Sequence, residues 1–229
     1  MILSPEELQW VTERMKIYDI KYLESYYEIL DHILTAIEIK RDNGDTRDIS
    51  VVFQDVVDTD FGGYSGIEEL AVRQENIFNK YVGGAFKTIF RGYLNWRLFV
   101  FTIVISALAY TLPDNKAMHA VFFIAIFLLA FSPLLYAFVL ISRKGEKVKG
   151  KRSLLKGRLI SQTYLPGMLL NGIIYLPVLF QSGDDSNGFK MMQHWPLPVL
   201  MVILIFFAVL NLSSITLCNQ VLNKKGISG

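Results

Sequence analysis

The residues with the clearest potential for metal chemistry fall on one predicted helix. Glu24, Glu28 and His32 are spaced four apart, so they share a helix face and could approach one metal ion. A di-iron bundle uses a Glu-x-x-His pair with matching carboxylates from other helices, whereas here the spacing is four and no second copy exists. The pattern therefore favours a solvated acidic face beside an apolar stripe, and we expect no metal site.

The other polar clusters do not match a catalytic or cofactor site either. Asp55, Asp58 and Asp60 miss the register of a calcium loop, so we expect a helix end and a turn there. The chain has three histidines and one cysteine, Cys218, without zinc-ligand spacing or a Ser/His/Asp arrangement. The sequence therefore predicts no catalytic residue, no cofactor and no enzyme.

Two of the histidines could share one outer surface. His119 and His194 fall at an apolar segment's outer end and in an outer loop, near Asp114, Asp184 and Asp185. A weak metal or pH-sensing site there is one interpretation, and ordinary loop residues are the other.

Charge divides the chain into two modules. Residues 1–92 carry ten Lys and Arg against seventeen Asp and Glu, a net charge of −7, and the remainder carries thirteen against four, a net charge of +9. We predict an acidic helical domain at 1–84, a connector at 85–97, a four-helix membrane domain at 98–218 and a tail at 219–229. The start of the chain lacks a basic region followed by an apolar one, so the acidic domain is expected in the cytosol.

The acidic domain is predicted to be helical throughout. Ser4-Pro5-Glu6-Glu7 has the pattern of a capping box at the start of a helix. A second helix is predicted at 20–41, with Gly44 as its left-handed cap, and a third opens at Asp45 or Thr46. The apolar stripe of the second helix consists of Leu23, Tyr26, Leu30, Ile33 and Ile37.

A fourth helix is expected to begin at a second capping box, Ser65-Gly66-Ile67-Glu68. Gly83 and Gly84 interrupt its pattern, so we predict a hinge or a helix end there. The coupling route to the membrane would run through this pair. The candidate partner-binding residues are Glu24, Glu28, Asp31 and Glu38.

The order of these segments resembles a known family. The acidic helix "YLESYYEILDHILTAIEIKRDNG", the short helix "ISVVFQDV", the turn "DFGGYSG" and the helix "IEELA" are similar to the small helical domains called HAAS or DUF1700-like. The similarity covers about residues 15–75, with a longer "VVDTDFGGYSG" connection here. It implies a regulatory or sensor membrane protein of bacteria with a cytosolic partner such as a PadR-type transcription factor.

Four apolar segments have about the length needed to cross a bilayer. They lie at about 93–112, 117–141, 159–180 and 197–218, and all should be helices, kinked at Pro133, Pro166 and Pro177. No Asp, Glu, Lys or Arg lies deep in a segment, which argues against an ion-coupled transporter. Asn171 and Asn211 are expected to make hydrogen bonds between helices; the alternative is a polar ligand pocket near Asn171.

A basic loop orients the predicted bundle. Its eight basic residues are Arg143, Lys144, Lys147, Lys149, Lys151, Arg152, Lys156 and Arg158. The positive-inside rule places this loop and both termini in the cytosol. The resemblance to HAAS domains implies that the membrane is a bacterial cytoplasmic membrane. The loop is expected to contact anionic lipid headgroups. The alternative is a docking site for the chain's own acidic domain, and direct nucleic-acid binding is not expected.

Two functional hypotheses follow. The first is a non-enzymatic regulatory or sensor protein whose acidic domain binds a cytosolic partner. The alternative is a subunit of a transporter or other membrane complex, with the bundle as the working part. The oligomeric state is left open, a homo-oligomer included.

Overall fold

The computed structural model describes residues 3–143, 151–175 and 194–225. Within these ranges the regular structure is helical and no strand is present, which confirms the predicted all-α class. Contacts divide the chain into two units. The amino-terminal unit comprises Met1–Lys80 and Glu146–Gly157, and the carboxy-terminal unit comprises Tyr81–Gly145 and Arg158–Gly229. Part of the basic loop therefore belongs to the amino-terminal unit, an assignment that charge alone did not give.

The amino-terminal unit begins with three helices. They are α1 (Pro5–Arg14), which continues into a 3₁₀ turn, α2 (Leu23–Asp42) and α3 (Ile49–Asp60). The capping box at Ser4 is confirmed, because Ser4 Oγ accepts from the backbone N–H of Glu7 and Glu7 Oε2 accepts from that of Ser4. The hydrogen bond from the Ser4 backbone lowers the pKa of Glu7. Gly44 has a φ of +89°, as a left-handed cap requires.

The core of this unit lies between the helices. All five residues of the predicted stripe on α2 are buried, and four of them pack in one cluster with Val52, Phe53 and Val56 of α3. These four are Tyr26, Leu30, Ile33 and Ile37. Trp10 meets the ring of Phe53 edge to face, with ring centroids 5.6 Å apart. The apolar period of the sequence thus predicted this core correctly.

Three predicted helix starts are wrong. Helix α2 begins at Leu23 and not at Ile20, because Tyr22 is extended and pairs with Arg152. Helix α3 begins at Ile49 with Asp48 as its cap, because Asp48 accepts from the N–H of Ser50 while Asp45 pairs with Arg47. Helix α4 begins at Gly63, two residues before the predicted capping box at Ser65. Gly63 has a φ of +81°, so the chain turns directly into the helix.

The predicted interruption at Gly83 and Gly84 is also wrong as a helix end. Helix α4 (Gly63–Tyr93) continues through both glycines, and their φ angles are not positive. Burial of Val82 and Phe86 on the same stretch stabilises the helix against the cost of two glycines, about 1 kcal/mol each. The helix ends instead at Tyr93. Asn95 caps the next helix, and the helix axis bends by 60° at this break.

The carboxy-terminal unit contains the apolar helices. They are α5 (Trp96–Leu108), extended by a 3₁₀ turn to Thr111, α6 (Lys116–Arg143), α7 (Leu154–Tyr175), whose first turn belongs to the amino-terminal unit, and α8 (Leu197–Lys225). Helix α8 packs against both α6 and α5.

Two of these helices are long and apolar enough to cross a membrane, which indicates a membrane protein. They are Lys116–Ser142 of α6 and Leu197–Leu222 of α8. The bent pair of α4 and α5 passes the same test when it is taken as one span. Of the third predicted segment, 159–175 is helical and 176–180, with Pro177, lies outside the described residues.

Candidate functional site

A short segment after α6 docks on the amino-terminal helices. We call residues 151–157 the docking segment. Its backbone pairs in parallel with that of Tyr22: the N–H of Arg152 donates to Lys21 O at 3.2 Å, and the N–H of Leu23 donates to Arg152 O at 2.9 Å. Leu154 in the same segment is buried. The contact joins residues about 130 positions apart in the sequence, so local pattern could not predict it.

Glu24 caps the start of α7. Its two carboxylate oxygens accept from the backbone N–H groups of Leu154 at 2.8 Å and Leu155 at 3.3 Å, and Ser153 Oγ donates to it at 2.6 Å. Ser153 Oγ in turn accepts from the N–H of Lys156 at 3.2 Å. The first amides of α7, which a helix leaves unpaired, are therefore bonded to these two side chains. A carboxylate at this end also interacts favourably with the helix dipole.

Lys151 anchors the other end of the docking segment. Its Nζ donates to the carbonyl oxygen of Ile20 at 2.8 Å and lies 4.3 Å from the centroid of the Tyr26 ring. Partial burial lowers the pKa of Lys151, and the charge of Asp19 opposes that shift. This cation–π contact adds to the backbone pairing, since such contacts strengthen when the cation is shielded from water.

The structure separates the candidate partner-binding residues of α2. Glu24 is part-buried at the docking segment, whereas Glu28 and Asp31 are exposed and Glu38 is half-buried. His32 is also exposed. The exposed members form an acidic surface on α2, and Glu24 serves an intramolecular contact.

The basic loop is divided in the same way. Lys151, Arg152 and Lys156 belong to the docking segment, and Arg158 begins the part of α7 in the other unit. Arg143 ends α6. Lys144, Lys147 and Lys149 lie outside the described residues. The alternative interpretation of the loop, docking on the acidic domain of the same chain, holds for residues 151–155.

No group of three or more His, Cys, Asp or Glu side chains that could hold a metal ion occurs in ranges 3–143, 151–175 and 194–225. In the α2 triplet, Glu24 is part-buried against the docking segment, whereas His32 is exposed. Asp55 accepts hydrogen bonds from Arg47 and Lys40, which lower the pKa of its carboxyl group. Asp184 and Asp185 of the outer surface lie outside the described residues.

A second polar contact lies between apolar helices. Asn211 Nδ2 of α8 donates to Leu129 O of α6 at 3.0 Å and also contacts Ser132 Oγ. Leu129 is four residues before Pro133, which has no N–H to offer that carbonyl. Asn211 therefore replaces the missing helical hydrogen bond, as the predicted role in helix packing requires. Asn171 is exposed on α7, and its role stays a prediction.

Comparison with protein-family models, with curated proteins and with solved structures gives no match. Sequence reasoning missed Ser153 and Tyr22 as parts of the site. A signal existed for Ser153, because a serine directly before an apolar pair is typical of a helix cap.

Proposed function

We propose that this chain is a non-enzymatic regulatory or sensor membrane protein. Its amino-terminal unit binds a cytosolic partner, and the docking segment couples that unit to the membrane helices. The single observation that carries the proposal is the cap that Glu24 places on the start of α7. Glu24 of the amino-terminal unit thereby holds the first turn of α7, and the rest of α7 belongs to the carboxy-terminal unit.

The contact also supports the expected topology. The docking segment follows α6, and it is bonded to residues 20–24, which precede α4. Both parts must lie on one side of a membrane, so the chain between them crosses it an even number of times. Helix α6 is one crossing, and the bent pair of α4 and α5 is the candidate for the second. The excess of basic residues around the docking segment favours the cytosolic side.

The partner would bind the exposed acidic face of α2. Glu28 and Asp31 project from the surface there, beside the Glu24 contact. A basic surface on a cytosolic protein is the complement that such a face would attract. Binding on this helix would change the mobility of the Glu24 side chain. The cap that Glu24 places on the start of α7 would change with it. The resemblance to HAAS domains makes a PadR-type transcription factor one such partner, and this remains a proposal.

A specific cavity favours the alternative function, a subunit of a larger membrane complex. The groove between α5 and α8 has a volume of about 820 Å³ and is lined almost wholly by apolar side chains, among them Phe99, Ile103, Val202 and Phe206. A helix of another subunit would fit an apolar lining of this kind. Under this alternative the bundle carries the activity and the docking segment only holds the chain together.

The deciding experiment is a cross-linked pull-down of the tagged full chain from its native membranes. The proposal predicts a soluble partner whose recovery falls in Glu28→Lys/Asp31→Lys, because charge reversal on the exposed face repels a basic surface. Glu69→Lys, elsewhere in the same unit, is the control and should retain the partner. Recovery of integral membrane subunits that is unaffected by either variant would contradict the regulatory function and favour the alternative.

A further inference from the structure

The last part of α4, residues 81–93, has one buried face. Val82 and Phe86 are buried, and the ring of Phe90 meets that of Phe206 of α8 edge to face, with ring centroids 6.4 Å apart. The three α4 residues recur at intervals of four, so they lie on one side of the helix. That side of α4 is therefore turned inward, and the opposite side is left for other contacts.

The opposite side of the same stretch is basic. Lys87 and Arg91 are exposed and lie four residues apart, and Arg97 is exposed in the first turn of α5. The sequence has no Asp or Glu between Glu75 and Asp114. Within the part of the chain that the structure describes, none of these three basic residues has an ion pair.

Like charges at this spacing repel each other. Lys87 and Arg91 are neighbours on the helix surface, so their charges destabilise α4 unless an anion lies between them. The basic residues Lys40, Arg41 and Arg47 of the amino-terminal unit differ in this respect, because each of them pairs with a carboxylate. An anion from outside the chain would supply the missing counter-charge on α4.

The residues that follow indicate which anion this is. Trp96 opens α5 and is 72% exposed, and indole rings favour the headgroup level of a bilayer. Phe99 and Phe101, about one turn further on, are exposed as well. Exposed apolar side chains at this density mark a contact with a membrane or another protein. The three basic residues thus lie where the polar surface gives way to the apolar surface of α5, as lipid phosphates do in a bilayer.

We propose that Lys87, Arg91 and Arg97 form a binding surface for the headgroups of anionic phospholipids at the break between α4 and α5. An Arg guanidinium binds phosphate oxygens with two parallel hydrogen bonds, and a Lys ammonium binds them as a point charge. The surface is distinct from the basic loop, where Lys151 is bonded to Ile20 O. It goes beyond the proposed regulatory function, because it needs neither a cytosolic partner nor the docking segment.

The test uses the full chain in lipid nanodiscs with Trp10→Phe and Trp195→Phe, which leaves Trp96 as the fluorophore. Its quenching by brominated phosphatidylglycerol is compared with quenching by brominated phosphatidylcholine, each diluted to the same content in unbrominated phosphatidylcholine. We expect the anionic lipid to quench about threefold more strongly, because the basic residues concentrate it around Trp96. High salt should reduce this preference, since it screens charges at the surface.

Two variants separate the surface from a general effect of charge. The triple variant Lys87→Gln/Arg91→Gln/Arg97→Gln should be quenched equally by the two lipids. Lys116→Gln, which removes a basic residue at the start of α6, is the control and should keep the preference. Equal quenching by the two lipids in the wild type, or an undiminished preference in the triple variant, would overturn the surface.

The proposed function is tested on other residues. Its pull-down relies on Glu28 and Asp31 of α2, and the quenching experiment contains no protein partner. Failure of one proposal therefore leaves the other standing.

Discussion

The carboxylate of Glu24 accepts a hydrogen bond from the backbone N–H of Leu154 at 2.8 Å, across 130 residues of sequence. Glu24 lies in the first turn of α2, and Leu154 is the first residue of α7. A helix start is usually capped by a residue of the same chain segment. Ser153 is such a cap here, because its Oγ accepts from the N–H of Lys156. The additional cap from α2 makes the start of α7 depend on the amino-terminal unit.

Removing the Glu24 carboxylate should loosen the docking segment. We expect Glu24→Ala to cost about 1–3 kcal/mol in the free energy of that contact, because two amides lose a charged acceptor. Amide hydrogen exchange of residues 151–157 should accelerate accordingly. Glu28→Ala, four residues along the same helix and exposed, is the control and should change exchange by less than about 0.5 kcal/mol. Equal exchange in both variants would contradict the cap.

The contact between Asn211 and Leu129 can be tested by restoring the missing donor. Asn211→Leu leaves the Leu129 carbonyl without a partner, and we expect a loss of about 0.6–2 kcal/mol in detergent thermal unfolding. Pro133→Ala returns an N–H to α6 and should remove most of that loss in the double variant. If the effects of the two substitutions on stability simply add in the double variant, Asn211 does not act through the Leu129 carbonyl.

Gly66 should be the least replaceable glycine of α4. A Cβ there would lie 1.7 Å from the backbone oxygen of Phe61, so the turn before the helix would have to move. We expect Gly66→Ala to lower the unfolding midpoint by an amount that corresponds to about 1–3 kcal/mol. The matched control is Gly92→Ala in the same helix, where a Cβ meets nothing within 4 Å. Similar midpoints for the two variants would refute the close approach.

Gly83 and Gly84 give the opposite expectation. A Cβ at either position meets nothing within 4 Å, and both lie inside a continuous helix. The double change to Ala should therefore stabilise α4 by about 1 kcal/mol per residue and slow amide exchange around it. Faster exchange in the double variant would return the pair to the role of a hinge.

The sequence was informative at several places where neighbours in the chain decide the structure. The stripe from Leu23 to Ile37, the capping box at Ser4 and the turn at Gly44 depend on residues within a few positions of each other, and all three are confirmed. The long apolar runs of the sequence likewise located α6 and α8 within a few residues.

The start of α3 was misplaced although its cap, Asp48, is local, because Asp45 and Asp48 are both suitable capping residues. Other errors arose where distant parts of the chain decide the outcome. The continuation of α4 through Gly83 depends on burial of Val82 and Phe86, which local propensity does not register. Glu24 looked like one more member of a solvated acidic face, because helical spacing does not show which residue meets a segment 130 positions away. Asn211 was correctly assigned to helix packing, but its partner carbonyl depends on how α8 lies against α6.

Residues 151–157 dock on the amino-terminal helices, and an engineered disulfide can test this position. Tyr22 and Arg152 are paired across a parallel bridge, a spacing that suits a disulfide. In a Cys218→Ala background, Tyr22→Cys with Arg152→Cys should cross-link under mild oxidation in native membranes. Tyr27→Cys with Arg152→Cys is the control, because Tyr27 is exposed elsewhere on α2. Efficient cross-linking of the first pair alone is the predicted result. Equal cross-linking of the two pairs, or no cross-linking of either, would show that the docking segment does not pair with Tyr22.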